Sequence, residues 1–238
     1  MSVEVDLFLD IEGLTRQLDQ FRRRQVPFAT ALAMTRLGGI AKGEVEEEMQ
    51  RVFDRPTRYT MNSLFLRPAQ KRDANPKAVV WFRDWSPMGT AATKYLTPEV
   101  HGGERNTKRS ESLLRRRGLL GSEEFLVPSR TAKLDRYGNI SRGQVVKMLS
   151  NVRAQFDTSQ NTTSSRKTQY FVGRPGGKAK GVWMRRGRKV QPFMMITRQP
   201  RYRRRLDFHG VSERSIRQNY NKEFGKALAY AIATANRG

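Results

Sequence analysis

The sequence predicts an α+β fold in which an antiparallel β-sheet packs against a long N-terminal helix and a C-terminal amphipathic helix. Three observations carry this: a helical stripe from Pro27, β-branched and aromatic runs in the middle and late chain, and an unbroken i+4 apolar ladder near the end. With 238 residues, 37% of them hydrophobic, the chain is long enough to bury one sizeable core. A single domain over residues 1–238 is expected.

The first element follows from Phe28, Leu32, Leu37, Ile40, Val45, Met49 and Val52, which recur at helical spacing. Pro27 suits a first turn, where an N–H has no intrahelical partner to lose. Gly38 and Gly39 each cost about 1 kcal/mol relative to alanine in a helix interior, so they imply a bend or a close approach by another chain. Glu44, Glu46, Glu47 and Glu48 make the later turns acidic. On a helix Glu44 and Glu48 share a face, while Glu46 and Glu47 are expected to point elsewhere.

Two extended runs follow, residues 63–69 and 78–85, separated by Asp73, Asn75 and Pro76, and they read as an antiparallel pair. A helix over 107–117 is closed by Gly118, and another over 141–156 carries Val145, Met148, Leu149 and Val152. Residues 157–168, "DTSQNTTSSRKT", hold no large apolar side chain and read as a mobile loop. "QYFVG", "GVWM" and "VQPFMMIT" then read as strands, the last two forming a basic β-hairpin at about 182–197 with Gly187 at its tip. Ile216, Tyr220, Phe224, Leu228 and Ile232 complete the chain as an amphipathic helix. A core stripe and an obligate interface look alike at this level.

Charge is the dominant compositional feature. The chain holds 46 Lys+Arg against 22 Asp+Glu, a net of +24, which speaks to partners rather than to fold. Residues 1–54 carry 7 basic and 10 acidic side chains, whereas residues 166–205 carry 14 basic and no acidic ones. Such a run repels itself unless a polyanion or an acidic protein surface neutralises it. There is no cysteine, which excludes disulfides, thiolate catalysis and cysteine-ligated zinc. The acidic start "MSVEVDLFLDIEG" lacks the basic region of a secretory signal, and no apolar run approaches the roughly 20 residues that cross a bilayer. The chain reads as soluble, unprocessed and without membrane partners.

Catalytic signatures are sparse. The two histidines, His101 and His209, stand far apart without neighbouring ligands, and no G-x-S-x-G elbow accompanies them. "GRPGGKAKG", residues 173–181, falls one residue short of a phosphate loop, and Ala179 stands where Ser or Thr must hold Mg²⁺. Glu44, Glu46, Glu47 and Glu48 could be imagined as a nuclease metal site, but a solvated face or a docking face for a basic patch is favoured. No cofactor, no metal and no catalytic residue is expected.

The basic segments differ in kind. "WMRRGRK" and "RQPRYRRRLDF" interleave aromatics with Arg185, Arg186, Arg188, Lys189, Arg201, Arg203, Arg204 and Arg205. Cations neutralise phosphates and flat side chains stack on bases, yet arginine is equally at home in protein interfaces. Both readings stand at this point.

Four blocks, "VPFATALAMT" (26–35), "EEMQRVFDRPTRYTMNSL" (47–64), "ATKYLTPEVHGGERNTKRSESLLRRRGLL" (92–120) and "VPSRTAKLDRYGNISRGQVVKMLS" (127–150), resemble the minor tail protein Z family of tailed bacteriophages. The likeness spans residues 26–150 and resumes from Tyr202 into the last helix. It implies a non-catalytic virion protein of the tail and neck, acting in tail completion and head-tail joining and residing in the host cytoplasm during assembly. The implied partners are further copies in a ring, tail terminator or tail tube proteins, head-tail connector or portal-adjacent proteins, and non-specific contact with packaged DNA.

Under that resemblance "KYLTPEVHGG" is a structural turn before a basic helix that docks neighbouring subunits. Glu44, Glu47, Glu48, Lys108, Arg109, Arg115, Arg116 and Arg117 are then interface candidates, and the arginines of 185–205 face a DNA channel. The alternatives are a free, non-catalytic nucleic-acid-binding protein and, last, a metal-dependent nuclease.

Overall fold

The computed structural model describes residues 21–87, 89–161 and 168–235. In chain order the helices are α1 (Val26–Val52), α2 (Arg58–Met61), α3 (Thr93–His101), α4 (Arg109–Arg116), α5 (Arg142–Asn151) and α6 (Phe208–Ala235). The strands are β1 (Leu64–Arg67), β2 (Val79–Phe82), β3 (Gly103–Glu104), β4 (Phe125–Pro128), β5 (Gln169–Gly173), β6 (Gly181–Arg186), β7 (Lys189–Thr197) and β8 (Arg201–Tyr202). The fold is α+β with antiparallel sheets, as the sequence predicts.

The chain divides into two compact units, and its apolar side chains gather in separate clusters. The first unit takes the chain through Arg51, then Met61–Arg83, then Asp207 onward. The second takes Val52–Thr60 and Asp84–Leu206.

In the first unit α1 and α6 meet through alanines: Ala29 and Ala33 pack with Ala227 and Ala231, none more than 2% exposed. Small side chains at successive i+4 positions let two helices approach closely. The β1–β2 hairpin pairs Leu64 with Phe82 and Arg67 with Val79. It lies on α1 at Gly38, where a Cβ would come within 2.7 Å of Leu66 Cδ1 and 3.2 Å of Ala78 Cβ. The close approach implied by that glycine is therefore made by the chain's own hairpin. Phe82 packs on Phe208 with ring centroids 5.2 Å apart, so this small sheet touches both long helices.

The ladder Ile216, Tyr220, Phe224, Leu228 and Ile232 is not the buried face of α6. The buried positions are Val211, Ser215, Glu223, Ala227 and Ala231, one residue earlier in the same i+4 rhythm. Ile216, Tyr220 and Ile232 stay 39%, 43% and 49% exposed, while Phe224 and Leu228 flank the alanine contact. A close helix pair selects the smaller of two parallel ladders.

The second unit is built on a four-stranded antiparallel sheet in the order β4-β7-β6-β5. Leu114 of α4 and Met148 and Leu149 of α5 cluster with Leu126, Tyr170, Val182 and Phe193 of the strands. Pro192 sits in an interior strand, which is unfavourable because proline donates nothing to a ladder. The register jumps there, from Val182 opposite Met194 to Trp183 opposite Pro192, so a bulge absorbs the fault. The Ser129 and Thr131 hydroxyls donate to the Pro192 carbonyl at 2.6 and 2.9 Å.

α5 starts at an N-cap: Gln144 N–H donates to Ser141 Oγ at 3.3 Å and Ser141 N–H donates to Gln144 Oε1 at 3.2 Å. The helix stops at Asn151, short of the expected Phe156. The stretch expected to be a mobile loop opens with a 3₁₀ turn at Thr158–Gln160, where Ser159 N–H donates to Asp157 Oδ1 and Ser150 Oγ donates to the Gln160 carbonyl. Residues 162–167 of that stretch lie outside the described residues.

The segment read as a turn, "KYLTPEVHGG", is mostly helix α3 with Pro98 inside it. Proline cannot donate to the Lys94 carbonyl four residues earlier. Asn106 Nδ2 does so instead, at 3.1 Å.

Candidate functional site

A groove of about 480 Å³ opens in the first unit, lined by Glu44, Glu47, Glu48 and Arg51 of α1 and by Val211, Arg214, Ser215 and Gln218 of α6. The spacing i, i+3, i+4, i+7 puts the four α1 residues on one face. Glu47 therefore stands beside Glu44 and Glu48, correcting the expectation that it points away, whereas Glu46 pairs with Lys42 at 2.8 Å. Arg51 pairs with Glu48, and Arg214 with Asp207 at 3.3 Å. Among the described residues Glu44 and Glu47 have no cationic partner. The Ser215 hydroxyl is buried without a hydrogen-bond partner among the described residues, and the residue is only 5% exposed.

In the second unit the β6–β7 hairpin carries the opposite sign. Arg186 pairs with Lys189 in register, so Gly187 and Arg188 form a two-residue turn. Gly187 has φ of 55°, the left-handed backbone that favours glycine at such a tip. Arg185, Arg186, Arg188 and Lys189 are all exposed. Arg185 lies over the Phe171 ring at 5.6 Å and Arg186 Nε donates to Thr168 Oγ1 at 3.2 Å. Among the described residues Arg188 and Lys189 make no ion pair.

The later arginine run serves partly as structure. β8 pairs with β3, Tyr202 opposite Gly103, and Arg201 lies 3.7 Å from Glu104. Arg205 N–H donates to the Glu99 carbonyl at 2.8 Å, and its Nη2 donates to the Val52 carbonyl at 2.9 Å. That carbonyl is one of the groups a helix end leaves without a partner. Arg201, Arg203 and Arg204 remain exposed.

The interface candidates on α4 also divide. Lys108 N–H donates to Glu111 Oε2 at 2.7 Å, as the residue just before the helix. Arg115 donates to the Gly121 and Glu124 carbonyls and to Thr107 Oγ1, and lies over Phe125. It is an internal strut. Arg116 lies over the Phe156 ring at 4.8 Å, and Arg109 and Arg117 are exposed.

Sequence reasoning missed the pair that organises this region, Arg105 and Glu111, and it missed Ser215. Spacing offered a faint signal for each: Glu111 stands three residues after Lys108, the residue just before the helix, and Ser215 lies on the i+4 ladder that carries Ala227 and Ala231. Residues 173–181 join two antiparallel strands through a 3₁₀ turn at Pro175–Gly177, not the strand-to-helix turn a phosphate loop needs. Among the described residues no three His, Asp or Glu side chains gather as metal ligands, and no helix is long and apolar enough to cross a membrane. Comparison with protein-family models, with curated proteins and with solved structures yields no match.

Proposed function

We propose that the chain is a non-catalytic structural subunit of a tailed-phage virion, acting in tail completion and head-tail joining at the neck as a multi-copy ring around the DNA channel. One observation carries the reading: the two signs of charge occupy different units, an acidic groove on α1 and α6 in the first and a basic tip on β6–β7 in the second. A chain so built suits heterologous contact with further copies, which closes into a ring when the rotation per subunit permits. The resemblance of residues 26–150 to the minor tail protein Z family supports the place in the virion. The partners are tail terminator or tube proteins and connector or portal-adjacent proteins. Exposed Arg201, Arg203 and Arg204 serve non-specific contact with DNA.

A second reading, a free nucleic-acid-binding protein, draws on the arginine and aromatic pairing of Arg185 with Phe171. Imaging of tails carrying a label on this chain separates the two. Label at the head-proximal end of the tail supports the neck role. Protein found only on nucleic acid in infected cells, with sequence-selective binding that survives about 0.2 M salt, supports the second.

A further inference from the structure

We propose that the acidic groove between α1 and α6 receives the basic tip of the β6–β7 hairpin from a second copy of this chain. The proposal rests on the multi-copy reading above and names the contact that builds it. The groove offers Glu44 and Glu47, which have no cationic partner among the described residues, and the tip offers Arg188 and Lys189, which make no ion pair there. Two unmatched carboxylates face two unmatched cations. Glu48 already holds Arg51 and Arg214 already holds Asp207, so the remaining charge of the groove is negative.

The second observation is Ser215. Among the described residues its buried hydroxyl has no hydrogen-bond partner, and the residue lines the same groove. A buried polar group left unsatisfied costs stability, and a guanidinium entering the groove resolves it. Arginine brings five N–H donors in a planar fork, enough to reach a carboxylate and the Ser215 oxygen together. The two-residue turn makes the tip narrow, since paired strands lie only about 4.8 Å apart. The contact is heterologous, groove to tip, so a joined pair still leaves one groove and one tip free for further copies.

The chain has no cysteine, so single introduced thiols report contacts without background. The full-length Glu47→Cys and Arg188→Cys proteins, mixed and treated with a short bismaleimide, are expected to crosslink to each other. In parallel, sedimentation of the unaltered protein at low salt is expected to show concentration-dependent self-association. Glu44→Lys with Glu47→Lys, or Arg188→Glu with Lys189→Glu, weakens it by roughly 100-fold because like charges then face each other. Mixing the two reversed proteins restores it. All four positions are surface residues, and a circular dichroism melt for each variant verifies its fold.

Self-association that neither reversal weakens, with no crosslink, overturns this contact and leaves the multi-copy reading standing. A protein monomeric at every concentration, with no crosslink, overturns both. Reversals that each weaken association but do not rescue one another show that groove and tip bind different surfaces, which overturns their pairing.

Discussion

Arg105 grips Glu111 with both arms of its guanidinium, Nη1 to Oε2 at 2.9 Å and Nη2 to Oε1 at 2.5 Å, in a site where Glu111 has no exposed surface. The same carboxylate accepts from the Leu126 and Lys108 amides at 2.8 and 2.7 Å. One acidic side chain thus joins the start of α4 to strand β4. Burial pushes the Glu111 carboxyl up, but the Arg105 guanidinium and the two amides outweigh it and hold it below the usual carboxylate range.

Glu111→Gln is expected to cost about 3–5 kcal/mol at neutral pH, because it leaves Arg105 buried without a counter-charge. A carboxyl held low in the folded state stabilises above its unfolded value and loses that contribution as pH falls through the folded one. The gap between the natural protein and the variant should therefore narrow from about pH 5 downward. Urea unfolding at a series of pH values measures it, and a gap constant with pH counts against the account.

Asn106→Ala is expected to cost about 1 kcal/mol, the usual net worth of one hydrogen bond. In a Pro98→Ala background the restored N–H of residue 98 can serve the Lys94 carbonyl, and the cost should fall toward zero. A double-mutant cycle reads the coupling directly. Additive losses would mean that Asn106 acts elsewhere.

Gly38→Ala and Gly39→Ala should part company. Nothing lies within 4 Å of a Cβ at Gly39, so alanine there gains about 1 kcal/mol of helix propensity. At Gly38 the Cβ meets Leu66 Cδ1 and Ala78 Cβ, so the Leu66 side chain must turn away and Ala78 must give slightly, which offsets that gain. Thermal melts of the two proteins side by side provide the comparison.

On α6 the decisive residues are the small ones. Ala227→Leu forces bulk between two close helices and is expected to cost about 1–3 kcal/mol. Ile216→Ser, on the exposed ladder, should stay within about 0.5 kcal/mol. Phe224→Ala, half-buried beside the alanines, should fall short of the roughly 3–5 kcal/mol of a fully buried phenylalanine. Equal losses at Ala227 and Ile216 would contradict the assignment of faces.

Elements with a local cause were legible in the sequence. Ser141 and Gln144 cap α5 wherever the rest of the chain goes, Gly187 turns its hairpin, and β1–β2 follows from two apolar runs with a turn between them. α3 was not legible, since Pro98 and the glycines that follow argue for a turn and only Asn106, from beyond the helix, repairs it. The buried face of α6 was hidden because Ala227 and Ala231 look inert beside Tyr220 and Phe224. Their value depends on Ala29 and Ala33, a partner that periodicity cannot see. In the candidate site the acidic α1 segment and the basic tip were both visible, whereas the groove itself needed α6 to return and add Ser215 to its lining.

The alanine contact between α1 and α6 also sets an order of events on the ribosome. Ala29 and Ala33 emerge well before their partners Ala227 and Ala231, and synthesis proceeds at about 5–20 residues per second. The strands and helices of residues 84–206 are all translated before α6. The second unit is thus complete while α1 still waits with its alanine face uncovered. The chain closes its first unit only once α6 has emerged, so a nascent chain offers no finished groove to a neighbour before then.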